Sequence, residues 1–537
     1  MADRYTATKP SEAPGDVVAD GPFPAPTAPG AAVVPPRRRR VRYLLTLLAV
    51  CVVVACWTFA TPLMAAPDEP SQIGQAAAIV RGQFDVPPRN TPIGKLSYVH
   101  VPEWIARSFF LLDCFAFKPS HSAACGVSIG DSTRTATIRT QFSNYPPFYF
   151  LWVGIPTLFM KGTRALYVMR LVSGLVNCVL LALGICLLYR YHPRRLPLVG
   201  ALVAVTPMVL FMASVVNASG LEISAAFASW CAGLCVIEYP EPPRTLVVWT
   251  SIAFAIFICS RPISPANAAI VLCVLAATAG WSRICSLARA HGTRVIGMAI
   301  LVALIVAGVL LLIGGPPSLL GGGTKPPLTF WESFHLVLTQ DPGDLRQAIG
   351  LFGWTDTPIP GWVATVWTAM AGTLCVVGLI GSARSRRAIP LLVLAVLAMP
   401  VVFEIPKINS VGAYWQGRYW LPLLVGIPLV AAALQPPRPH RRPRIRLAPN
   451  TELATRLVAM TALGALIVGA QVATFVLALR RYTTGLGVPP GTPARWAPPG
   501  GTTLVIGLFV VGEILLVATI GWQSVRPGAP LRRLTRS

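Results

Sequence analysis

Asp68 and Glu69 are the first charged residues after an apolar run from Tyr43 to Ala66. A carboxylate emerging at a lipid–water boundary has little water around it. The resulting rise in proton affinity suits it to take a proton from a hydroxyl. Asp68 is therefore a candidate general base. Glu69 is a candidate partner that orients the acceptor or helps hold a divalent cation. The competing reading of Asp68 is a helix cap, because Asp68-Glu69-Pro70-Ser71 also carries the acid and early Pro of a helix start. No CxxC or Cys/His cluster with zinc spacing occurs, so there is no metal motif and any cofactor is left unknown.

Breaking a bond to a phosphate calls for cations near the departing oxygen. Arg170 comes one turn inside an apolar segment. An Arg there is costly and turns to a cavity or an anion, or else snorkels to the headgroups. The stretch from Lys407 to Trp420 sets Lys407 and Arg418 among Tyr414, Trp415, Tyr419 and Trp420. Such cations grip phosphate or pyrophosphate, and such rings suit a sugar. An aromatic belt with anchoring cations is the alternative. Tyr145 opens Tyr-Pro-Pro-Phe-Tyr, a turn that could also line the site. His100 and His121 stand alone and read as surface residues.

Membrane-spanning helices must position these groups. Of the 537 residues, 54% are hydrophobic and 12% charged, against roughly 25% charged in a soluble domain. Apolar runs of about 20 residues, each long enough to cross a bilayer, recur to the end of the chain. Twelve spans are expected, at roughly 43–66, 166–189, 196–216, 220–237, 245–260, 265–281, 295–314, 361–382, 389–404, 420–434, 456–480 and 501–524. The aromatic segment 145–160 is short for a span and is read as an interfacial or re-entrant helix. With that choice, 27 of the 45 Lys and Arg residues fall in the inner pieces, mostly short loops, and 17 in the outer ones. The positive-inside rule then puts both termini in the cytoplasm. A net charge of +25 is thereby explained by topology, and no nucleic-acid partner is expected.

The division along the chain follows. Residues 1–42 are a disordered basic tail, 43–66 the first span and 67–165 a large extracytoplasmic loop with juxtamembrane helices. Residues 166–435 form the transmembrane core and 436–455 a basic cytoplasmic loop. Residues 456–524 hold two last spans, and 525–537 a basic tail. Apolar residues at helical spacing predict short helices from Pro70 to Val80 and from Pro102 to Leu112. Cys114 and Cys125 lie together in a compartment that permits disulfides and are expected to pair, two free thiols being the alternative.

Several stretches together carry a resemblance. They are Pro67-Asp68-Glu69-Pro70, Tyr145-Pro146-Pro147-Phe148-Tyr149, Arg170-Leu171-Val172-Ser173, Pro207-Met208-Val209-Leu210-Phe211, and Gln416-Gly417-Arg418-Tyr419 with Leu421-Pro422. In this order the chain resembles, over about residues 45–435, the bacterial membrane family catalogued as domain of unknown function 2142. Many members of that family carry His four residues after the first acid, where this chain has Gln72. That family in turn resembles the glycosyltransferase C superfamily. The resemblance implies an all-α polytopic fold with an acid at the start of the first outer loop and a polyprenyl-phosphate sugar donor.

The expected function is a plasma-membrane glycosyltransferase. It would move a sugar from the lipid carrier to a cell-envelope glycan or lipid acceptor on the outer face. Asp68 and Glu69 would be catalytic. Arg170, Lys407, Tyr414, Arg418 and Tyr145 would hold the substrates. A transporter or flippase for an envelope lipid would use the same cations without chemistry, and a non-catalytic assembly factor would need neither.

Overall fold

The computed structural model describes residues 36–91, 94–315, 321, 326–434, 449–489 and 491–525. The chain is an all-α polytopic membrane protein. Among the described residues, eight helices are long and apolar enough to cross a bilayer: Arg40–Ala60, Gly162–Tyr191, Ala218–Val236, His291–Gly314, Gly361–Gly381, Ala383–Val411, Ala454–Thr483 and Thr502–Gly521. Two pairs are bent, Leu196–Ala204 with Pro207–Ala213 by 66° and Ser264–Ala279 with Trp281–Arg289 by 110°. Arg244–Ile258 and Leu421–Ala433 are shorter apolar helical stretches. Against the twelve expected spans, eight helices qualify by length among the described residues, or ten if each bent pair is one span, and the expected spans 245–260 and 420–434 fall on the two shorter stretches. The aromatic segment 145–160 holds the remaining short apolar stretch, Phe148–Phe159. The N-terminal helix starts at Pro36, so Arg37 to Arg42, expected in the tail, are helical. Most of both tails and of the basic loop 436–455 lies outside the described residues.

Burial follows composition. Ala218–Val236 is largely apolar, with the single charge Glu222, and is buried along its whole length at the centre of the bundle. His291–Gly314 keeps Val302, Ile305 and Leu312 exposed, as a helix facing lipid does. The last two helices return to the first. Phe475 and Phe509 stack at 3.9 Å, and both meet Trp57 in perpendicular, T-shaped contacts at 5.0 and 6.3 Å. The bend before Pro207 exists because Pro has no N–H to continue the helix. The Val203 carbonyl, four residues before Pro207, accepts from Trp367 Nε1 at 2.9 Å, and that of Val205, whose helical partner Val209 N turns to Thr206 Oγ1, accepts from Gln471 Nε2 at 3.1 Å, which spares unsatisfied polar groups inside the apolar bundle.

The polar loops segregate to two ends. At one end, Asn217 Nδ2 donates to the Pro67 carbonyl (2.9 Å), Trp354 Nε1 to Met64 (3.0 Å) and Arg481 Nη2 to Asp356 (2.9 Å). At the other, Arg194 Nη1 donates to Ala433 (2.8 Å), Tyr239 Oη to Tyr191 (3.0 Å) and Arg283 Nε to Ile237 (3.1 Å). These are the groupings that the loop charges imply.

The first loop differs from expectation in one respect. Helices are present at Glu69–Ile79 and Glu103–Ser108, but between and after them runs an antiparallel sheet that was not expected. It consists of β1 (Arg89–Thr91), β2 (Gly94–Pro102) and β3 (Thr135–Thr140), in that order. Strand β2 alternates outward Tyr98 and His100 with buried Ser97, Val99 and Val101, the period-two pattern of a half-buried strand. Its partner β3 lies more than thirty residues away in sequence, with Val99 facing Ile138, so no hairpin turn announces the pair.

Candidate functional site

Asp68 occupies the N-cap position of helix Glu69–Ile79, yet its side chain makes no cap hydrogen bond. Its backbone is left-handed, with φ 63° and ψ −7°. That conformation costs roughly 1–2 kcal/mol for an L-residue, less for Asp, and is typical of functional sites. Arg418 Nη2 donates to Asp68 Oδ2 at 2.5 Å, and Gln141 Nε2 approaches Oδ1 at 3.4 Å. The Arg418 side chain is 2% exposed and that of Asp68 27%. The acid is thus the open member of a buried pair. Asn217, which holds the Pro67 carbonyl, also caps helix Ala218–Val236 through Ser219 N, so the central helix fixes the Asp68 backbone.

Glu69 and Arg170 are spent on each other. Arg170 Nε and Nη2 donate to Glu69 Oε1 and Oε2 at 2.7 and 2.6 Å. Its remaining protons go to the carbonyls of Thr58 (3.0 Å), Thr61 (2.6 Å) and Pro62 (2.8 Å). All five donors of a guanidinium are then in use. The Thr58 carbonyl belongs to the last turn of the first span, and those of Thr61 and Pro62 follow directly after it, so Arg170 acts as the cap of that helix. Both side chains are fully buried, and Glu69 Oε1 also accepts from Val216 N. The expected roles therefore change. Arg170 has no donor left for a substrate phosphate, and Glu69 has no open oxygen for an acceptor or cation. Gln72 Oε1 accepts from Ala218 N at 2.7 Å, a further tie to the central helix.

Around Asp68 the structure gathers a different set. Tyr419 lies between two guanidinium groups, with Arg418 5.2 Å and Arg261 5.0 Å from its ring centroid. Arg261 also lies 5.9 Å from the Tyr145 ring. Arg261 Nη1 donates to Glu222 Oε2 (2.9 Å), whose other oxygen accepts from Ser264 (2.8 Å) and Asn267 (3.0 Å). Burial works against the Arg418 charge, but Tyr419 and Asp68 outweigh it and hold its pKa above the ordinary value. Burial likewise raises the Tyr145 phenol, with Arg261 opposing, so that it stays neutral. The Arg418 Nε proton has no partner among the described residues, leaving this guanidinium spare donor capacity.

The other expected residues lie apart from this set. Tyr414 donates its hydroxyl to Phe403 O (2.6 Å), and its own N–H goes to buried Glu404 (2.6 Å), so its polar groups hold the loop. Lys407 is exposed on helix Ile405–Val411 and makes none of the contacts that join the cluster. Cys114 and Cys125 are joined by a disulfide with Cα atoms 5.4 Å apart. Arg481 clamps this loop by donating to the Phe115 carbonyl (2.7 Å) and to Asp356 (2.9 Å). Arg261, Glu222 and Gln141 were missed as site residues. The available signal was a lone acid and a lone base of opposite sign, Glu222 and Arg261, each at the end of an apolar segment. Among the described residues no three His, Cys, Asp or Glu side chains gather as a cation site would require.

The profile of the family described as "Predicted membrane protein (DUF2142)" matches residues 51–427. No curated protein matches the chain. Two solved structures of ArnT from Cupriavidus metallidurans are similar to it, one bound to undecaprenyl phosphate and one in the apo state. Both are 14% identical and cover 90% of this chain, with TM-scores of 0.42 and 0.41, over 77% and 78% of their own length.

Proposed function

The chain belongs to the DUF2142 family of membrane proteins, and we propose that it transfers a sugar from a polyprenyl-phosphate carrier to a cell-envelope acceptor, with Asp68 as the general base. One comparison carries this reading. Four arginine–carboxylate pairs with a buried guanidinium lie at this end of the bundle among the described residues: Arg170–Glu69, Arg261–Glu222, Arg481–Asp356 and Arg418–Asp68. In the first three the acid side chain is 0%, 0% and 7% exposed, while Asp68 is 27% exposed. Three of these four are closed structural links, and the Asp68 pair alone among them opens outward from a buried guanidinium; the further pair Arg107–Glu103 is open on both sides, with side chains 53% and 35% exposed.

The donor itself would free the base. In the resting site Arg418 holds the Asp68 carboxylate. The donor phosphodiester carries one negative charge, which grows toward two on the leaving phosphate as the C1–O bond breaks, and Arg418, whose Nε proton has no partner among the described residues, is drawn to that growing charge. With Arg418 drawn to the phosphate and Arg261 beside it, Asp68 loses its partner and gains basicity. The acceptor O–H then gives its proton to an Asp68 oxygen as the acceptor oxygen bonds to the sugar C1. The C1–O bond to phosphate breaks, and its electron pair leaves with the polyprenyl phosphate. A single displacement inverts the anomeric centre. Arg418 and Arg261 stabilise the departing charge.

The proposed orientation puts the Asp68 end on the extracytoplasmic face of the plasma membrane and both termini in the cytoplasm. The distribution of loop cations, together with the meeting of each set of loops at one end, supports it. A deletion strain tests the function. The polyprenyl-phosphate sugar should accumulate and an envelope glycan should lose that sugar. Wild type should restore both and Asp68→Asn neither, although the variant is present in the membrane at normal level. Restoration by Asp68→Asn would leave Asp68 without a chemical role, because Asn keeps the shape but cannot take the proton.

A further inference from the structure

The unexpected sheet of the first loop makes one wall of a cleft of about 800 Å³, and helix Glu103–Ser108 with Phe109 and Phe110 makes the other. We propose that this cleft binds the acceptor and that the acceptor is an anionic glycan strand; the assignment as acceptor rests on the transferase reading above.

The argument starts from register. Tyr98 on β2 faces Arg139 on β3, and directly opposed residues of an antiparallel pair point to the same side of the sheet. Gln141 follows two residues after Arg139, one residue past the end of β3. It lines the same cleft and approaches Asp68 Oδ1 at 3.4 Å. A strand lying along this face therefore runs toward the proposed base. Its walls suit sugar rings. Tyr98 and Phe110 are 37% and 60% exposed within a folded loop, and pyranose C–H faces stack on such rings.

The charge points to an anion. Arg107 and Arg139 line the cleft, and Arg89 adds a third guanidinium 5.8 Å from the Tyr98 ring. The facing acid is Glu103, which already accepts from Ser132 Oγ at 2.6 Å and lies 3.9 Å from Arg107. Arg139 is exposed and has no ion-pair partner among the described residues. The cleft thus carries more cation than its own carboxylate can neutralise. Lipid headgroups would also meet basic and aromatic residues, but a bilayer surface does not fill a concave site whose floor leads to Asp68.

The test uses the full chain, purified in detergent, with tetragalacturonate as anionic probe and maltotetraose as neutral probe, measured by titration calorimetry. Tetragalacturonate should bind at least tenfold more tightly than maltotetraose. Arg139→Gln and Tyr98→Ala should each weaken it at least fivefold, and Tyr98→Phe, which keeps the ring, should bind as wild type. Equal binding of both probes, or binding untouched by Arg139→Gln and Tyr98→Ala, overturns the proposal. So does photocrosslinking to lipid in nanodiscs from benzoylphenylalanine in place of Arg139, since that face would then lie on the bilayer. The two readings fail separately. Binding of the anionic probe without any sugar transfer removes the transferase and keeps the glycan cleft. Transfer with an unchanged acceptor KM in Arg139→Gln removes the cleft and keeps the transferase.

Discussion

Replacing Arg170 by Met separates a structural cation from one that binds substrate. The side chain is fully buried and serves Glu69 and the carbonyls of Thr58, Thr61 and Pro62. Arg170→Met leaves the Glu69 carboxylate buried without its partner, a loss of about 3–5 kcal/mol. The carbonyls of Thr58 and Thr61, deprived of donors at the end of the first span, add to it. That is a large share of a typical folding free energy of about 5–15 kcal/mol, so Arg170→Met should scarcely accumulate as folded protein. Arg170→Lys keeps the charge but brings three donors in place of five. At roughly 1.5–3 kcal/mol for each hydrogen bond to a charged group, it should lose about 3 kcal/mol or more. The double change Arg170→Met with Glu69→Met removes the stranded charge and should recover part of the stability lost by Arg170→Met, a coupling that only touching residues show. The assay is the monodisperse fraction on size exclusion after a temperature series in detergent, with membrane abundance alongside. If Arg170→Met is as abundant and as thermally stable as wild type while losing function, the cap assignment is wrong and Arg170 is free to meet a substrate.

Other outcomes follow from the same contacts. Arg418→Lys keeps a charge near Asp68 but loses the planar fork, so a donor phosphate should bind more weakly and appear as a raised KM for the donor, with abundance unchanged. Removing the Cys114–Cys125 bond by Cys125→Ser should cost roughly 2–3 kcal/mol by loop entropy, read as a lower melting temperature that reductant lowers no further. A cysteine introduced at Ser286 should be labelled by impermeant maleimide only after the inner face is opened, and labelling from outside would invert the proposed orientation.

The long apolar helices were legible because a bilayer demands about 20 apolar residues at each crossing, whatever they pack against. The short helices of the first loop were legible from their spacing, but the sheet was not. Its longest strand has nine residues, and its partner stands more than thirty residues away across a disulfide loop. The arginines show a deeper limit. Arg170 and Arg418 look alike in sequence, each a lone cation near the end of an apolar segment. What distinguishes them is whether their donors are already taken, and most partners of Arg170 are backbone carbonyls, which no side-chain pattern encodes. Arg261 and Glu222 escaped notice because they lie 39 residues apart and neither belongs to a motif.

Position 72 draws these threads together. The family resemblance leads to His there, and its absence would matter if that side chain handled protons. In this chain Gln72 is 2% exposed, and its oxygen is occupied by Ala218 N at 2.7 Å, the first helical N–H after the Asn217 cap. An imidazole nitrogen in its neutral form can accept the same bond. Position 72 therefore joins helix Glu69–Ile79 to the start of the central helix, as Arg170 joins it to the first span and Asn217 holds Pro67. Three polar links converge on the two residues flanking Asp68 and on the helix that follows it. Their combined effect is to hold one non-glycine residue in a left-handed conformation with its carboxylate turned outward. A Gln serves that purpose as well as a His, so the proposed chemistry at Asp68 does not depend on the exchange.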